Sequence, residues 1–453
     1  MHPDKKRAAV IALGCPKNRV DSEYILGSLA FHGYELTSFP SEADLLVLTT
    51  CAYIKSAVEE SENAIRKLIR LKRVNPFQKV VVAGCLVQRY KKKFLVDRFP
   101  EIDHWVGLND ILKIPEIVDN LPTKEVENLS PPPRVISTLR HYAYLKIADG
   151  CDNHCSFCLL PKIRGPFRSR PIEEILEETH KLAELGVKEL ILVAQDTTLY
   201  GIDIYNRIAL GKLIDELSRI KYIHWIRIMY AHPAHLSEDV IEQFGSNPKL
   251  CRYIDLPIQH ISDEILSMMN RGYTRRDVER LLARLRTIPE MRIRTTVMTG
   301  FPGEREKDFN DLLEFIRYFQ FDRLSGYIFS PEDGTRAKRM RCRIPSEIAQ
   351  RRLNQIMQIQ KQISRNKLST LIGKEIPLIV DFPGIGRTEW DAPEIDGVVK
   401  IKRGRARAGS FINARILSAS TYDLTAVHLK KKRPYLNTVS FPFFNILHFY
   451  FTL

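Results

Sequence analysis

The sequence lacks any apolar run long enough to cross a bilayer, although 44% of its 453 residues are hydrophobic. A membrane-spanning helix needs about 20 consecutive, mostly apolar residues. The opening MHPDKKR leads straight into a short apolar strand, without the apolar stretch and cleavage pattern of a secretory signal. We therefore expect a cytoplasmic protein of two or three domains, with sizeable cores and without stable membrane association.

Acidic residues are fewer than basic ones. Lys and Arg together number 69, against 54 Asp and Glu, which gives a net charge of +15. This excess favours an anionic partner such as nucleic acid, a ribosome or a membrane surface. A basic surface that contacts only solvent has the same composition, so charge alone does not choose between these interpretations.

Cysteine is scarce as well, with eight residues in the whole chain. A disulfide framework is not expected in a reducing compartment. Clustered cysteines in a large intracellular enzyme point instead to metal binding or catalysis. Six of the eight fall into two patterns, whereas Cys251 and Cys342 have no partner in either and are interpreted as structural thiols.

The first segment, residues 1–125, contains three apolar strands that end at Cys15, Cys51 and Cys85. A helical pattern follows each strand, over residues 22–32, 57–72 and 88–99. Continuous apolar strands alternating with helices predict a doubly wound parallel α/β sheet. Because the carboxyl ends of parallel strands gather at one edge, the three thiols are expected to converge on a ligand. The alternative is three buried structural cysteines.

A proline-containing linker, residues 126–140, leads into a second α/β segment, residues 141–369. Six strand candidates alternate there with helical patterns, which predicts a complete or partial (β/α)6 barrel. Short β-type runs between Gly and Pro in residues 370–429 predict a small all-β barrel. The basic and aromatic tail, residues 430–453, fits none of these domains, and its role is left open.

The sharpest local pattern is Cys151, Cys155 and Cys158, a CxxxCxxC group directly after the first strand of the central segment. Three thiolates can hold three corners of a cubane cluster and leave one iron open, whereas most structural sites use four protein ligands. A zinc site that recruits His154 is the alternative. The group and its strand–loop context resemble the radical S-adenosylmethionine (SAM) superfamily.

The wider sequence resembles the methylthiotransferase family from about residue 8 to residue 428. The resemblance rests on GCPKN at Cys15, TC at Cys51 and GCL with the nearby QRY at Cys85. It implies an N-terminal cluster domain, a radical-SAM partial (β/α)6 barrel and a C-terminal TRAM domain. It also implies two 4Fe-4S clusters, each with an open iron, held by Cys151, Cys155 and Cys158 and by Cys15, Cys51 and Cys85.

By the same resemblance, SAM binds the open iron of the barrel cluster, and the other open iron holds sulfur before its insertion. Phe157, Gln195, Gly300 and Glu304 are expected at the SAM site. Core packing is an equal alternative for Phe157, as is a tight turn for Gly300. His232 and His260 near strand ends are interpreted as structural. No general base is assigned, because hydrogen abstraction by a carbon radical needs none.

Several motifs resemble the branch of the family that modifies an aspartate β-carbon on the twelfth small-subunit ribosomal protein. They are AQDTT at residues 194–198, EDGT at 332–335 and DAPEIDG at 391–397. The last motif is expected to give the small barrel an acidic surface that suits a basic protein and repels RNA phosphates. The alternative is a methylthiotransferase that modifies adenosine in tRNA.

The resemblance implies a reaction in which one SAM yields the adenosyl radical and a second SAM supplies the methyl group. The implied partners are the twelfth small-subunit ribosomal protein or its subunit, a flavodoxin- or ferredoxin-type electron donor, and a sulfur source. A non-catalytic iron–sulfur protein that binds RNA or the ribosome is a further alternative.

Overall fold

The computed structural model describes residues 6–120, 129–402 and 406–429, which form three domains in chain order. Two of these domains are α/β and the third is all-β. No helix within the described ranges combines the length and the apolar character that a membrane crossing requires. The predicted tail, residues 430–453, and the first part of the linker, residues 126–128, lie outside the described residues.

The first domain is built on a five-stranded parallel sheet in the order β2-β1-β3-β4-β5. Its strands are β1 (Arg7–Ala12), β2 (Glu35–Leu36), β3 (Leu45–Thr50), β4 (Lys79–Gly84) and β5 (His104–Val106). The central strands β3 and β4 are almost entirely buried, because helices cover both faces of the sheet. The short edge strands β2 and β5 lack the apolar runs that revealed the other three.

Five helices make this sheet doubly wound, as predicted. They are α1 (Pro16–Phe31), α2 (Lys55–Val74), α3 (Cys85–Arg89), α4 (Lys92–Arg98) and α5 (Ile114–Asp119). Helices α2 to α4 pack in the core on one face, and α1 and α5 pack on the other. Helix α1 begins at Pro16 rather than at residue 22, and the single helix predicted over residues 88–99 is two helices.

The central domain is a six-stranded parallel sheet in the order β13-β12-β11-β10-β9-β6. Its strands are β6 (Tyr142–Lys146), β9 (Glu189–Val193), β10 (Trp225–Ile228), β11 (Leu250–Asp255), β12 (Arg292–Thr299) and β13 (Arg323–Ile328). The described sheet does not close on itself, which confirms the partial (β/α)6 barrel. A short antiparallel pair, β7 (Ala148–Asp149) and β8 (Arg168–Ser169), brackets the loop that carries Cys151, Cys155 and Cys158.

The central domain also has nine helices within the described residues. They are α6 (Leu160–Arg164), α7 (Ile172–Glu184), α8 (Ile202–Tyr205), α9 (Leu210–Ser218), α10 (Glu238–Ser246), α11 (Asp263–Met269), α12 (Arg275–Arg286), α13 (Glu306–Phe319) and α14 (Ser346–Ser369). Apolar residues of α7, α9, α10, α12 and α13 form one large core with the outer face of the sheet. The amphipathic patterns over residues 172–185 and 276–288 thus predict α7 and α12 to within two residues at each end.

The third domain is a closed five-stranded barrel in the order β14-β15-β16-β18-β17. Its strands are β14 (Glu375–Phe382), β15 (Ile385–Arg387), β16 (Val399–Ile401), β17 (Phe411–Ala419) and β18 (Leu424–His428). Closure leaves no long open edge on this small domain. Its core is a separate apolar cluster that includes Leu378, Val399 and Ile416.

The inner face of the central sheet is covered by the other two domains. Val20 and Tyr24 of α1 pack there, and so do Ile379 and Ala392 of the small barrel, together with strand residues such as Tyr144. Helix α1 is therefore buried on nearly all sides, between its own sheet and the central one. This burial explains why the first turns of α1 show no amphipathic pattern in the sequence.

The acidic motif at residues 391–397 lies at this contact with only Glu394 of its three acids exposed, so the prediction of an acidic surface was wrong. Each acid pairs with an arginine of another domain: Asp391 with Arg323 at 2.6 Å, Asp396 with Arg294 at 2.7 Å, and Glu394 with Arg19 at 3.0 Å. The first two carboxylates are also buried. Because these charges are already paired, the motif clamps the domains together instead of repelling phosphates.

A second ion cluster joins the small barrel to the central sheet. The Glu189 carboxylate accepts from Arg227 Nε at 2.9 Å and from Arg387 Nη2 at 2.8 Å, and all three side chains are buried. Arg387 also donates to Asp381 at 2.7 Å, so both guanidinium groups are compensated. Such a cluster tolerates burial only while every charge keeps its partner.

Replacing Glu189 with glutamine keeps the side-chain volume but leaves Arg227 and Arg387 facing a neutral amide. Breaking a buried ion pair in this way costs about 3–5 kcal/mol, so the urea midpoint of unfolding should fall clearly. The control is Glu184→Gln, at an exposed position at the end of α7, which should leave the midpoint in place. Equal midpoints for the two variants would contradict the role given to this cluster.

Candidate functional site

The three N-terminal cysteines meet at one edge of their sheet. Cys15 caps α1 after β1, Cys51 follows β3, and Cys85 opens α3 after β4. Strands β1 and β3 are neighbours whose crossovers leave in opposite directions, which is the point where open α/β sheets bind ligands. Gly14 has a φ of +91°, and a Cβ there would lie 2.7 Å from the Cys51 Cβ, so this close approach requires glycine.

Polar groups surround this N-terminal triad. Asn18 donates to the carbonyl of Thr50 at 2.8 Å, and its own carbonyl oxygen accepts from Cys85 Sγ at 3.5 Å. Arg164, from the central domain, lies 3.4 Å from the Cys85 sulfur. Burial raises the pKa of the Cys85 thiol to about 12, although Arg164 acts in the opposite direction. Binding a cation at these sulfurs would therefore displace protons from the thiols.

The barrel triad lies on the loop between β7 and β8. Cys151 N–H donates to the Gly165 carbonyl at 3.2 Å, and Cys158 N–H donates to the Cys155 carbonyl at 3.1 Å. Gly150 has a φ of +81°, and a Cβ there would lie 1.9 Å from the Pro166 carbonyl oxygen. The glycine before Cys151 therefore allows the two ends of the loop to touch.

Hydrogen-bond donors reach two sulfurs of the barrel triad. Arg271 Nη1 lies 3.1 Å from Cys155 Sγ, and the Leu160 N–H lies 3.4 Å from Cys158 Sγ. The Tyr53 hydroxyl, two residues after Cys51, also hydrogen-bonds Cys158 and lowers its pKa against the raising effect of burial. Donors aimed at thiolates stabilise the charged, metal-binding form of cysteine.

The spacing of the sulfurs bears on the kind of metal that would fit. A tetrahedral zinc with Zn–S bonds of about 2.3 Å holds its sulfurs about 3.8 Å apart. In the described part of the chain, the one group with three potential ligand atoms within 4.8 Å of one another contains no cysteine. Neither triad, with or without His154, is closed around a single ion.

A buried junction of alternating charges connects the two triads. We define the junction as Lys17, Asn18 and Asp21 of α1 with Lys146, Asp149 and Arg164 of the central domain. The Arg164 guanidinium donates to Asp21 at 2.7 Å and to Asp149 at 3.1 Å, and it also hydrogen-bonds Asn18. Lys146 pairs with Asp21 and, at 3.2 Å, with Asp149. Asp149 is two residues from Cys151, so this junction spans the space from one triad to the other.

The charges of the junction shift one another's ionisation. Burial alone would favour neutral Asp149, but Lys146 and Arg164 lower the pKa of this carboxyl well below its ordinary value. Burial also lowers the pKa of Lys17, and Arg164 adds to that effect, whereas Cys15, Asp255 and Asp149 oppose it. Asp149 and its two cationic partners are therefore a charged contact between the domains rather than an apolar one.

Two of the predicted SAM contacts lie beside the barrel triad. Gln195 donates to Asp149 at 2.7 Å, and its carbonyl oxygen is buried without a hydrogen-bond partner among the described residues. Phe157 packs in a small apolar cluster with Cys155 and Cys158, and its ring meets Phe301 edge-on at 6.5 Å. Both side chains are placed where they could touch a ligand of the barrel triad.

The other two predicted contacts shape a turn. Gly300 has a φ of +73°, and a Cβ there would lie 2.7 Å from the Ala349 Cβ. The Glu304 carboxylate is fully buried and accepts from the Gly300 N–H at 2.5 Å and from Arg352 at 3.0 Å. His260 Nε2 lies 3.5 Å from the same carboxylate. Glu304 thus fixes the Gly300 turn.

His232 belongs to a polar group that the sequence did not reveal. Together with Asp196 and His235 it forms the group whose ligand atoms lie within 4.8 Å of one another. His235 Nδ1 lies 2.8 Å from Asp196, and Asn153 of the cysteine loop donates to the same carboxylate at 2.8 Å. The bonds to Asp196 tie His235 and the cysteine loop to the barrel, whereas His232 stacks on His235, with ring centroids 4.6 Å apart.

The remaining predicted residues are dispersed. Cys251 is buried in the inner core of the central sheet, and Cys342 is exposed. The residues missed by sequence reasoning are mostly charged: Lys17, Asp21, Lys146, Asp149, Arg164 and Arg271. Lys17 stands inside the GCPKN motif and Asp149 directly precedes the cysteine loop, so both had a local signal. Arg164 and Arg271 had none, because only the fold brings them to the sulfurs.

Three family models match the chain, one in each domain. An uncharacterized protein family, UPF0004, matches residues 7–107, the radical SAM superfamily matches residues 145–316, and the TRAM domain matches residues 372–428. Among solved structures, the radical SAM methyltransferase TsrM of Kitasatospora setae, with cobalamin and a [4Fe-4S] cluster bound, gives a TM-score of 0.55. It is 15% identical and the match covers 74% of this chain and 77% of that one, a likeness in fold.

Curated relatives match nearly end to end. The chain is 40% identical to the ribosomal protein uS12 methylthiotransferase RimO of Thermoanaerobacter sp. (strain X514), over 92% of this chain and 99% of that protein. It is 41% identical to the protein of the same name from Clostridium kluyveri, over 94% of this chain and 98% of that protein. The similarity therefore covers all three domains and both cysteine triads.

Arg271 offers a test of the barrel triad. Replacing it with glutamine removes a positive charge 3.1 Å from Cys155. Reduction adds negative charge to a cluster, so loss of the arginine should shift the midpoint potential to a more negative value. An EPR-monitored redox titration would measure this shift in a background with alanine at Cys15, Cys51 and Cys85, so that iron binds only at the barrel. The control is Arg276→Gln, at an exposed position of α12. Equal midpoint potentials for the two variants would contradict the role given to the Arg271–Cys155 contact.

Proposed function

The chain belongs to the family of ribosomal protein uS12 methylthiotransferases, and we propose that it adds a methylthio group to the β-carbon of an aspartate in that ribosomal protein. As a radical SAM protein it uses SAM and a 4Fe-4S cluster. The observation that carries the proposal is the pairing of two three-cysteine sets across one buried junction. The activity belongs in the cytoplasm, where ribosomes work.

In this proposal Cys151, Cys155 and Cys158 hold the radical SAM cluster. When bound, that cluster supplies the electron that cleaves SAM to methionine and a 5′-deoxyadenosyl radical. Arg271 and the Leu160 N–H hold the thiolates through the contacts described above. Phe157 and Gln195 are the residues proposed to touch SAM, and the Gly300 turn, fixed by Glu304, shapes its site.

Cys15, Cys51 and Cys85 are proposed to hold a second 4Fe-4S cluster whose open iron keeps the sulfur to be transferred. Their placement at the switch point of the sheet supports this role. Arg164 and Asn18 sit against Cys85 and would hold its charged form. The junction fixes the distance between the two cysteine sets, because Arg164 contacts Cys85 of one set and Asp149 lies two residues before Cys151 of the other.

The proposed partners follow from the chemistry. The acceptor is ribosomal protein uS12, free or in its subunit. One electron per SAM cleavage would come from a flavodoxin- or ferredoxin-type carrier, and such acidic carriers suit a chain of net charge +15. The sulfur would come from a separate donor, and a second SAM would supply the methyl group.

The test is an anaerobic assay of the full chain, reconstituted with iron and sulfide, with SAM, a reductant and a peptide of the uS12 target loop. The peptide should gain about 46 mass units, the difference between a methylthio group and hydrogen, together with 5′-deoxyadenosine. Cys151→Ala should yield neither product, because it lacks a ligand of the cluster that cleaves SAM.

A parallel reaction with bulk tRNA distinguishes the substrates. Modification of tRNA with an unchanged peptide would refute the proposed substrate while keeping the chemistry. Absence of 5′-deoxyadenosine from every wild-type reaction would refute the enzymatic proposal itself and leave a binding protein.

A further inference from the structure

Lys17 stands apart from the other cations of the junction. It is 6% exposed, yet no carboxylate lies within 4.0 Å of its ammonium in the described part of the chain. Its printed neighbour is the ring of Tyr230, whose centroid lies 3.2 Å from Nζ. A buried lysine without a carboxylate in contact with it gains a strong partner when an anion binds beside it.

Each of the neighbouring cations already pairs with a carboxylate. Arg164 and Lys146 share Asp21 and Asp149. Arg294 pairs with Asp396 at 2.7 Å and lies 3.4 Å from Asp255. Of the three cations of the junction, Lys17 is therefore the one without a carboxylate partner among the described residues.

The setting of Tyr230 supports a binding role for Lys17. Tyr230 follows β10 and adopts a φ of +60°, a conformation that bulky residues rarely take outside functional sites. Its N–H donates to Asp255 at 3.1 Å, and its carbonyl accepts from Thr197 at 3.2 Å, so the backbone that carries the ring is fixed. A cation over an aromatic face is oriented but keeps its N–H donors free for a ligand.

We propose that Lys17 binds the side-chain carboxylate of the target aspartate and so selects an acidic residue over a neutral one. This inference rests on the proposed function and adds the residue that recognises its substrate. The reacting β-carbon is bonded directly to the carboxyl carbon of that aspartate. A carboxylate held by Lys17, two residues from Cys15, therefore presents the β-carbon beside the N-terminal triad and across the junction from Cys151.

The chemistry of the occupant favours a carboxylate over an adenine. An adenine carries no anionic group next to its ring carbons, so the base itself offers Lys17 no charged partner at the reacting position. An aspartate gives the ammonium a charge-assisted hydrogen bond, the stronger kind inside a protein. Lys17 is thus the residue on this surface that distinguishes the two substrate classes.

The test compares two peptides of the uS12 target loop, one with the natural aspartate and one with asparagine at that position. Binding to the reconstituted full chain with SAM bound would be measured by anaerobic fluorescence anisotropy. The wild-type chain should prefer the aspartate peptide by at least about tenfold, the worth of one charge-assisted hydrogen bond. Lys17→Met should bind both peptides alike, whereas Lys67→Met, at an exposed position of α2, should keep the preference.

The outcomes separate the inference from the function on which it rests. A wild-type chain that binds neither peptide would overturn the proposed function. A Lys17→Met chain that still prefers the aspartate peptide would overturn the inference alone. A Lys17→Met chain that loses iron or sulfide would show that Lys17 balances the charge of a cluster, and would overturn the inference as well.

Thermal unfolding distinguishes a binding role from a structural one. Methionine matches lysine in length and carries no charge, so the variant should unfold at the wild-type temperature or above it. A clear fall in the unfolding temperature would mean that Lys17 stabilises the fold, and would contradict the account of an unpaired ammonium kept for a ligand.

Discussion

The ion pairs that Arg164 makes with Asp21 and Asp149 are the constraint on which the rest of the site depends. They join α1 of the first domain to the loop region of the central one, and both cysteine triads are attached to the ends of this contact. Because the charges are buried, they stabilise the structure only in one arrangement. The junction therefore sets the separation and orientation of the two cysteine triads.

The small barrel supports this arrangement from the other end of the central sheet. The pairs Asp396–Arg294 and Glu189–Arg387 fix it to the strands, and Glu394 reaches Arg19 on α1. The negative charges of this motif are thus nearly neutralised by the arginines that pair with them. The barrel holds the first two domains together, and its own surface is not made acidic by this motif.

Most of the architecture could be predicted from the sequence, because continuous apolar strands and amphipathic helices such as α7 leave clear patterns. The start of α1 could not, since Lys17, Asn18 and Asp21 are polar residues that only distant partners allow to be buried. The six cysteines stood out by spacing and by resemblance. The arginines at their sulfurs did not, because Arg164 and Arg271 reach the triads only through the fold.

In the proposed reaction, the adenosyl radical formed at the barrel triad removes hydrogen from the same carbon that takes sulfur from the N-terminal triad. The most direct measurement uses a uS12 peptide with deuterium on the target β-carbon and the Cys51→Ala chain, reconstituted with iron. The account predicts deuterium in 5′-deoxyadenosine without any methylthio product. A normal yield of methylthio peptide from this variant, or deuterium-free 5′-deoxyadenosine from a variant that still binds the peptide, would contradict it.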